Sequence, residues 1–158
     1  MNYADNEAKW VVVLNRKVSV PKLLNALGHL ALTMPQTCDD PTTEVIHDYH
    51  DSNGDLMSRI SNWPVIVLKA KNGNQLRSLR KAAGEQRVSC QAFADSMLAE
   101  SAEAQITQTL STPEADVEYF AVMLFGDSEK LNALTKKFSL FTEAAPTPKA
   151  EYHTLDPH

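Results

Sequence analysis

Trp10-Val11-Val12-Val13-Leu14 is followed within a few residues by Ser19-Val20-Pro21-Lys22-Leu23-Leu24-Asn25-Ala26-Leu27-Gly28-His29-Leu30-Ala31-Leu32-Thr33-Met34, and the pair sets the architecture of this chain. The first part is a continuous apolar run rich in β-branched residues, as expected of a strand covered on both faces. Asn15-Arg16-Lys17 interrupts it. Ser19 is then placed to cap a helix, Pro21 is tolerated in a first turn, and the spacing predicts a helix to about Met34, before Pro35. A second apolar run, Pro64-Val65-Ile66-Val67-Leu68-Lys69-Ala70, reads as another covered strand. Strand, helix and strand in that order predict a right-handed crossover and a sheet with parallel members.

The helix sorts its residues by face. Val20, Leu23, Leu24, Leu27, Leu30, Ala31 and Met34 form an apolar front, while Lys22, Asn25 and His29 fall in one line on the back. At about 100° per residue, positions two turns apart point almost the same way, so an amine, an amide and an imidazole can meet one ligand. The polar back of an amphipathic helix is more often only a solvated face.

Outward from this core, 158 residues with 43% apolar and 22% charged side chains describe one soluble globular domain. A core of that size requires neither disulfides nor a structural metal. Cys38 and Cys90 lie in unlike contexts and read as reduced thiols. No stretch approaches the roughly 20 apolar residues of a membrane span, and the first residues show no signal-peptide pattern, so a cytoplasmic protein without membrane association is expected.

Between the two strands, the polar segment from about residue 43 to 60 contains Asn53-Gly54, a pair suited to a tight hairpin turn. A projecting polar hairpin is expected there. Its His47, Asp48, His50 and Asp51 are metal-ligating residue types, but on a strand His47 and His50 face opposite ways unless a bulge intervenes, and no metal is assigned.

Asn74 is read as the cap of a second helix with Leu76, Leu79, Ala82 and Ala83 inward and Gly84 near its end. Residues 88–95 suggest a third strand, and 97–111 are open between helix and loop. Tyr119-Phe120-Ala121-Val122-Met123-Leu124-Phe125 is a fourth, strongly apolar strand, and Asp127 caps a last helix carrying Leu131, Leu134 and Phe138. Residues 1–142 thus form a single domain, with a flexible tail over 143–158.

The net charge of −5 argues against a general nucleic-acid coat. The run Lys69, Lys71, Arg77, Arg80, Lys81 and Arg87, set against Glu85 alone, nevertheless makes one surface locally basic, without interleaved aromatic residues on which single strands could stack. Asn72-Gly73-Asn74 has no phosphate-loop spacing, and Ser89, Ser96 and Ser139 lack a nucleophile-elbow pattern, so no nucleotide cofactor is indicated.

Together, Lys9-Trp10-Val11-Val12-Val13-Leu14-Asn15, Leu24-Asn25-Ala26-Leu27-Gly28-His29-Leu30-Ala31, Tyr49-His50-Asp51-Ser52-Asn53-Gly54, Trp63 to Ala70, Leu124-Phe125-Gly126 and Leu134 to Phe141 carry a resemblance. The chain resembles a small uncharacterised bacterial family of unknown function that shares the type II peptidyl-tRNA hydrolase fold. That resemblance implies a three-layer α/β/α domain around a mixed four-stranded sheet, and homodimers. It also implies a site: Lys22, His29 and Asp95 fall where those hydrolases carry a lysine, a histidine seven residues later and an aspartate after the third strand.

The hydrolase pattern Gly-Lys-Gly-Lys is here Ser19-Val20-Pro21-Lys22, and the segment after the third strand is Ala94-Asp95-Ser96-Met97-Leu98-Ala99. One phosphate-contacting lysine, a glycine turn and a threonine are therefore absent. The expectation is a small or phosphate-bearing ligand held over the first helix by Lys22 and Asn25, with tRNA a weaker candidate partner. If the site is catalytic, His29 accepts a proton from water attacking an ester and Asp95 orients the imidazole or the water. The competing expectation is a noncatalytic homodimeric interaction module.

Overall fold

The computed structural model describes residues 7–142. In chain order its elements are β1 (Ala8–Asn15), α1 (Val20–Thr37), β2 (Ile46–His50), β3 (Leu56–Ser61), β4 (Val65–Ala70), α2 (Gly73–Glu85), β5 (Ser89–Ala94), α3 (Ala102–Ser111), β6 (Tyr119–Asp127), α4 (Ser128–Thr135) and β7 (Ser139–Leu140). Short 3-10 turns occupy Pro41–Glu44, Asp95–Leu98 and Glu114–Asp116. The tail expected over 143–158 lies outside the described residues.

Because Trp10 to Leu14 carry no charged side chain and only one polar side-chain group, the Trp10 indole N–H that donates to Ser61 Oγ, β1 is suited to the centre of a sheet. It lies there, in a mixed sheet ordered β5-β6-β1-β4-β7. β1 runs parallel to β4, with Val12 opposite Val67, and antiparallel to β6, with Val12 opposite Met123. The sheet has five strands where four were expected. The addition is β7, whose Leu140 and Ser139 pair with Leu68 and Lys69. A strand of two exposed residues has no period to read.

Alternation along β1 separates two cores. Trp10, Val12 and Leu14 pack with Leu23, Ala26, Leu30 and Met34 of α1, and Phe93, Phe120 and Phe125 complete that side. Val11 and Val13 pack with Leu76, Leu79 and Ala83 of α2 and Leu131 of α4. Each large side chain so buried contributes about 1.5–3 kcal/mol.

The buried line of α1 is narrower than the apolar front read from sequence. Val20, Leu24 and Ala31 are exposed, and the helix turns Leu23, Ala26, Leu30 and Met34 to the sheet. The helix also runs through Pro35 to Thr37. Pro35 donates no hydrogen bond, but Cys38 N still donates to Met34 O at 3.1 Å, and Thr37 Oγ1 reaches the same carbonyl at 3.1 Å, which holds the last turn closed.

At α2 the cap is Asn72 and not Asn74: Asn72 Oδ1 accepts Gln75 N at 3.1 Å. The start is fixed by close approach, since a Cβ at Gly73 would lie 3.3 Å from Tyr119 O. The exit from α2 is made by Arg87 at φ 55°, not by Gly84. The ambiguous stretch 97–111 resolves into a 3-10 turn and α3, which Ser101 caps by accepting Ala104 N.

β2 and β3 form the expected hairpin, separate from the main sheet. Its turn spans five residues: Asp51 Oδ1 accepts Asn53 N at 2.8 Å and Asp55 N at 3.0 Å, and Gly54 takes φ 86°. The expectation of a polar hairpin is corrected by its surface. Ile46, Tyr49, Leu56, Met57 and Ile60 are all exposed, Met57 at 74%. No helix among the described residues is long and apolar enough to cross a membrane.

Candidate functional site

Lys22, Asn25 and His29 are exposed on the flank of α1 beside its buried line, each directly preceding one of its residues, Leu23, Ala26 and Leu30. Of the three, His29 is anchored. Its ring lies over Phe93 of β5, with centroids 5.7 Å apart and planes inclined by 25°. Phe93 is itself buried at 4% and packs against Phe120, so the imidazole rests on a rigid aromatic base.

The seam between α1 and β5 is stitched below that stack. Gln91 Nε2 donates to Thr37 Oγ1, and Thr33 Oγ1 donates to Gln91 Oε1 at 3.1 Å. These bonds set the height of α1 over the strand. The ring nitrogens of His29, the Lys22 amine and the Asn25 amide form no hydrogen bond or ion pair among the described residues.

Asp95 begins the 3-10 turn after β5, two residues beyond Phe93. Its backbone N donates to Glu118 O at 3.1 Å, and its Oδ1 accepts Ser96 N at 2.9 Å. The fold therefore brings Asp95 to the end of the strand that supports His29. It does not join the two: no ion pair links His29 and Asp95 among the described residues.

The hairpin histidines are otherwise engaged or apart. His47 Nε2 lies 2.6 Å from Asn62 Oδ1, and Asp48 pairs with Arg59 at 2.9 Å. A bulge does fall between Tyr49 and His50, but no three His, Cys, Asp or Glu side chains converge on a metal-sized point among the described residues. Both cysteines are free thiols.

A second constellation was hidden in the basic run. Arg77, Arg80 and Lys81 of α2 converge with Glu114, Val88 and Cys90 on an open groove of about 690 Å³. All three Arg77 side-chain nitrogens are engaged there. It donates to Glu114 Oε1 at 3.1 Å and to the carbonyls of Glu114, Ala115 and Val117, and a further donor bonds Asn74 Oδ1.

Tyr119, a buried residue of the α2-side core, links the two arginines. Its hydroxyl donates to Glu114 Oε1 at 3.1 Å and accepts from Arg80 Nη1 at 3.1 Å, and both guanidinium carbons lie within 6 Å of its ring centroid, at 5.4 and 5.9 Å. Burial raises the Tyr119 hydroxyl above its ordinary pKa. Burial likewise pushes the Cys90 thiol up to about 11, with Arg80 pulling the other way. The local excess of cations was legible in sequence; its aromatic base was not, because Tyr119 lies 39 residues from Arg80.

The model for a family described as protein of unknown function, DUF2000, matches residues 8–142, which take in the whole sheet. The chain belongs to the DUF2000 family. This DUF2000 domain is similar to the solved structure of Atu0240, a protein of unknown function from Agrobacterium tumefaciens strain C58, with a TM-score of 0.74 at 19% identity. The similarity covers 87% of this chain and 99% of that one, and it is a likeness of fold. No curated protein matches the DUF2000 chain.

Proposed function

We propose that this DUF2000 domain binds a small phosphate-bearing ligand over α1, on a three-layer scaffold of the type II peptidyl-tRNA hydrolase kind. The observation that carries the reading is the stack of His29 on Phe93, which orients the imidazole while leaving both ring nitrogens without an internal partner. Lys22, two turns away on the same side of the helix, supplies a cation for a phosphate, and Asn25 between them supplies a donor and an acceptor. Aligned donors on a rigid support are suited to an anion because little ordering cost remains to be met on binding.

Catalysis is the extension of this reading. Water attacks an ester carbonyl, His29 takes the proton of that water, and the alcohol leaves with a proton returned from the imidazolium. Asp95 assists through a bridging water, and Lys22 stabilises the oxyanion. The missing lysine at the start of α1 favours binding over hydrolysis of peptidyl-tRNA.

The test is titration of the ¹⁵N-labelled protein with inorganic phosphate, adenosine monophosphate and an N-acylaminoacyl-tRNA, with ester cleavage followed in parallel. Lys22→Ala and His29→Ala should each weaken binding about tenfold or more. Unchanged affinities in both variants would dismiss the site.

A noncatalytic homodimeric module is the second reading, and the hairpin favours it. Tyr49, Leu56, Met57 and Ile60 are exposed, and an apolar cavity of about 270 Å³ beneath the hairpin is lined by Trp10, Ala31, Pro35, Ile46, Val65 and Met123. Exposed apolar surface of this kind marks contact sites. Sedimentation equilibrium of wild type and Met57→Lys decides it: a dimer that the lysine dissociates supports the module, and a wild-type monomer at high concentration removes it.

A further inference from the structure

We propose that the groove between α2 and the edge strand β5 is a second binding site, for an organic anion with a carboxylate or phosphate head on an apolar body. The site is independent of the α1 stripe.

Two adjoining cavities form the groove, of about 690 and 460 Å³, which share Arg80, Cys90 and Glu114. Their sizes fall within the usual span of small-molecule sites. They arise because β5 is the outermost strand of its side of the sheet. The strand leaves Cys90 and Ala92 half-buried between α2 and the segment that follows α3.

The charge in the first cavity is uneven. Arg77, Arg80 and Lys81 face Glu114 alone, an excess of two positive charges on a chain whose net charge is −5. The two arginines differ in what they have left to give. Arg77 directs all three of its nitrogens to Glu114, Asn74 and three carbonyls, so it builds the wall and neutralises the one carboxylate. Arg80 makes a single hydrogen bond, from Nη1 to the Tyr119 hydroxyl. Its Nε and Nη2 donors have no partner among the described residues.

A guanidinium held over an aromatic ring with a free edge is matched to the paired oxygens of a carboxylate or phosphate. The relay of Tyr119 to Glu114 and of Glu114 to Arg77 keeps that edge in place before a ligand arrives. Beside it, Val88, Cys90, Ala92, Met97 and Val117 line the two cavities with apolar surface. A head that meets Arg80 and Lys81 and a body that lies along this floor satisfy both halves of the groove. Inorganic phosphate would use only the first.

The experiment is amide chemical-shift mapping of the full chain with phenyl phosphate, phenylacetate, the neutral phenylacetamide and inorganic phosphate. Either organic anion should move the amides around Arg80, Cys90, Ala92 and Tyr119. Whichever of the two binds more tightly identifies the head group. Phenylacetamide and inorganic phosphate should bind at least about tenfold more weakly. Arg80→Gln should cost about the same factor, Arg80→Lys less, and Tyr119→Phe a few-fold with the fold intact. The double variant Lys22→Ala/His29→Ala should leave these affinities unchanged. Equal binding of phenylacetamide, an unchanged affinity in Arg80→Gln, or shifts confined to α1 would overturn the proposal.

Discussion

The His29 ring stacks on Phe93, with ring centroids 5.7 Å apart and planes 25° from parallel. An exposed helix residue is thereby tied to a buried strand residue, and the polar stripe of α1 acquires a fixed point. Lys22 and Asn25 lack such an anchor, and the direction in which the stripe faces is set by the buried line Leu23, Ala26, Leu30 and Met34 together with the Gln91 bonds to Thr33 and Thr37.

The first consequence concerns Phe93 itself. Its ring fills space between His29 and Phe120 in the α1-side core. Phe93→Ala should destabilise the domain by about 3–5 kcal/mol, whereas Phe93→Leu should cost under about 1.5 kcal/mol. Urea unfolding measures both. At retained stability, Phe93→Leu should also weaken any ligand that depends on His29 by a few-fold, which the phosphate titration reads.

Arg77 ties α2 to the 3-10 turn that precedes β6, through Glu114 and three backbone carbonyls. Its side chain is only 24% exposed. Arg77→Met keeps much of the stem but removes every one of these donors. The expected loss is about 2 kcal/mol. Hydrogen exchange should accelerate in the segment around 113–118 before the sheet is affected. Exchange that changes uniformly over the domain would argue that Arg77 has no local role.

Cys90 should make stability fall in alkaline solution. Burial raises its thiol from 9.0 to about 11, so between those values the unfolded chain has released a proton that the folded chain retains. The native state then binds more protons than the unfolded state, and stability declines as pH rises. The decline begins near pH 9 and levels off above about pH 11, with a loss of about 2 kcal/mol by pH 10.5. Cys90→Ala should lack this component. Urea midpoints for both proteins at pH 8 and pH 10.5 provide the comparison, and equal declines would contradict it.

In the hairpin turn, Asp51 Oδ1 holds two backbone amides and Gly54 occupies φ 86°. Asp51→Ala should loosen the hairpin by about 1 kcal/mol, and Gly54→Ala by a similar amount through backbone strain, since nothing crowds a Cβ there. Both effects should show as faster amide exchange within β2 and β3 and leave the sheet untouched, because the hairpin pairs only with itself.

Much of the framework was legible in the chain alone. The continuous apolar runs of β1, β4 and β6 identify covered strands because a residue without a polar side chain has no solvent face to occupy. The period of α1 separated Leu23, Leu30 and Met34 from Lys22, Asn25 and His29, although Leu24 and Ala31 proved to lie outside the contact. An α-helix resting on a twisted sheet buries a stripe narrower than its apolar residues span, and only packing selects which of them it covers. The same limit applies to β7, too short to have a period, and to the hairpin, whose Tyr49, Leu56, Met57 and Ile60 stay exposed.

Read alone, the DUF2000 chain carries local information: which segments are apolar, which face of α1 carries an amine, an amide and an imidazole, and where cations accumulate. Packing selects which of these meet. His29 found Phe93 in place of a direct contact with Asp95, Arg77 found Glu114 across 37 residues, and Arg80 found Tyr119 across 39. The reason is physical. The period of a strand or helix is set by its own backbone geometry and is written in consecutive residues, whereas a contact between elements depends on strand order, register and the depth at which a helix settles on the sheet.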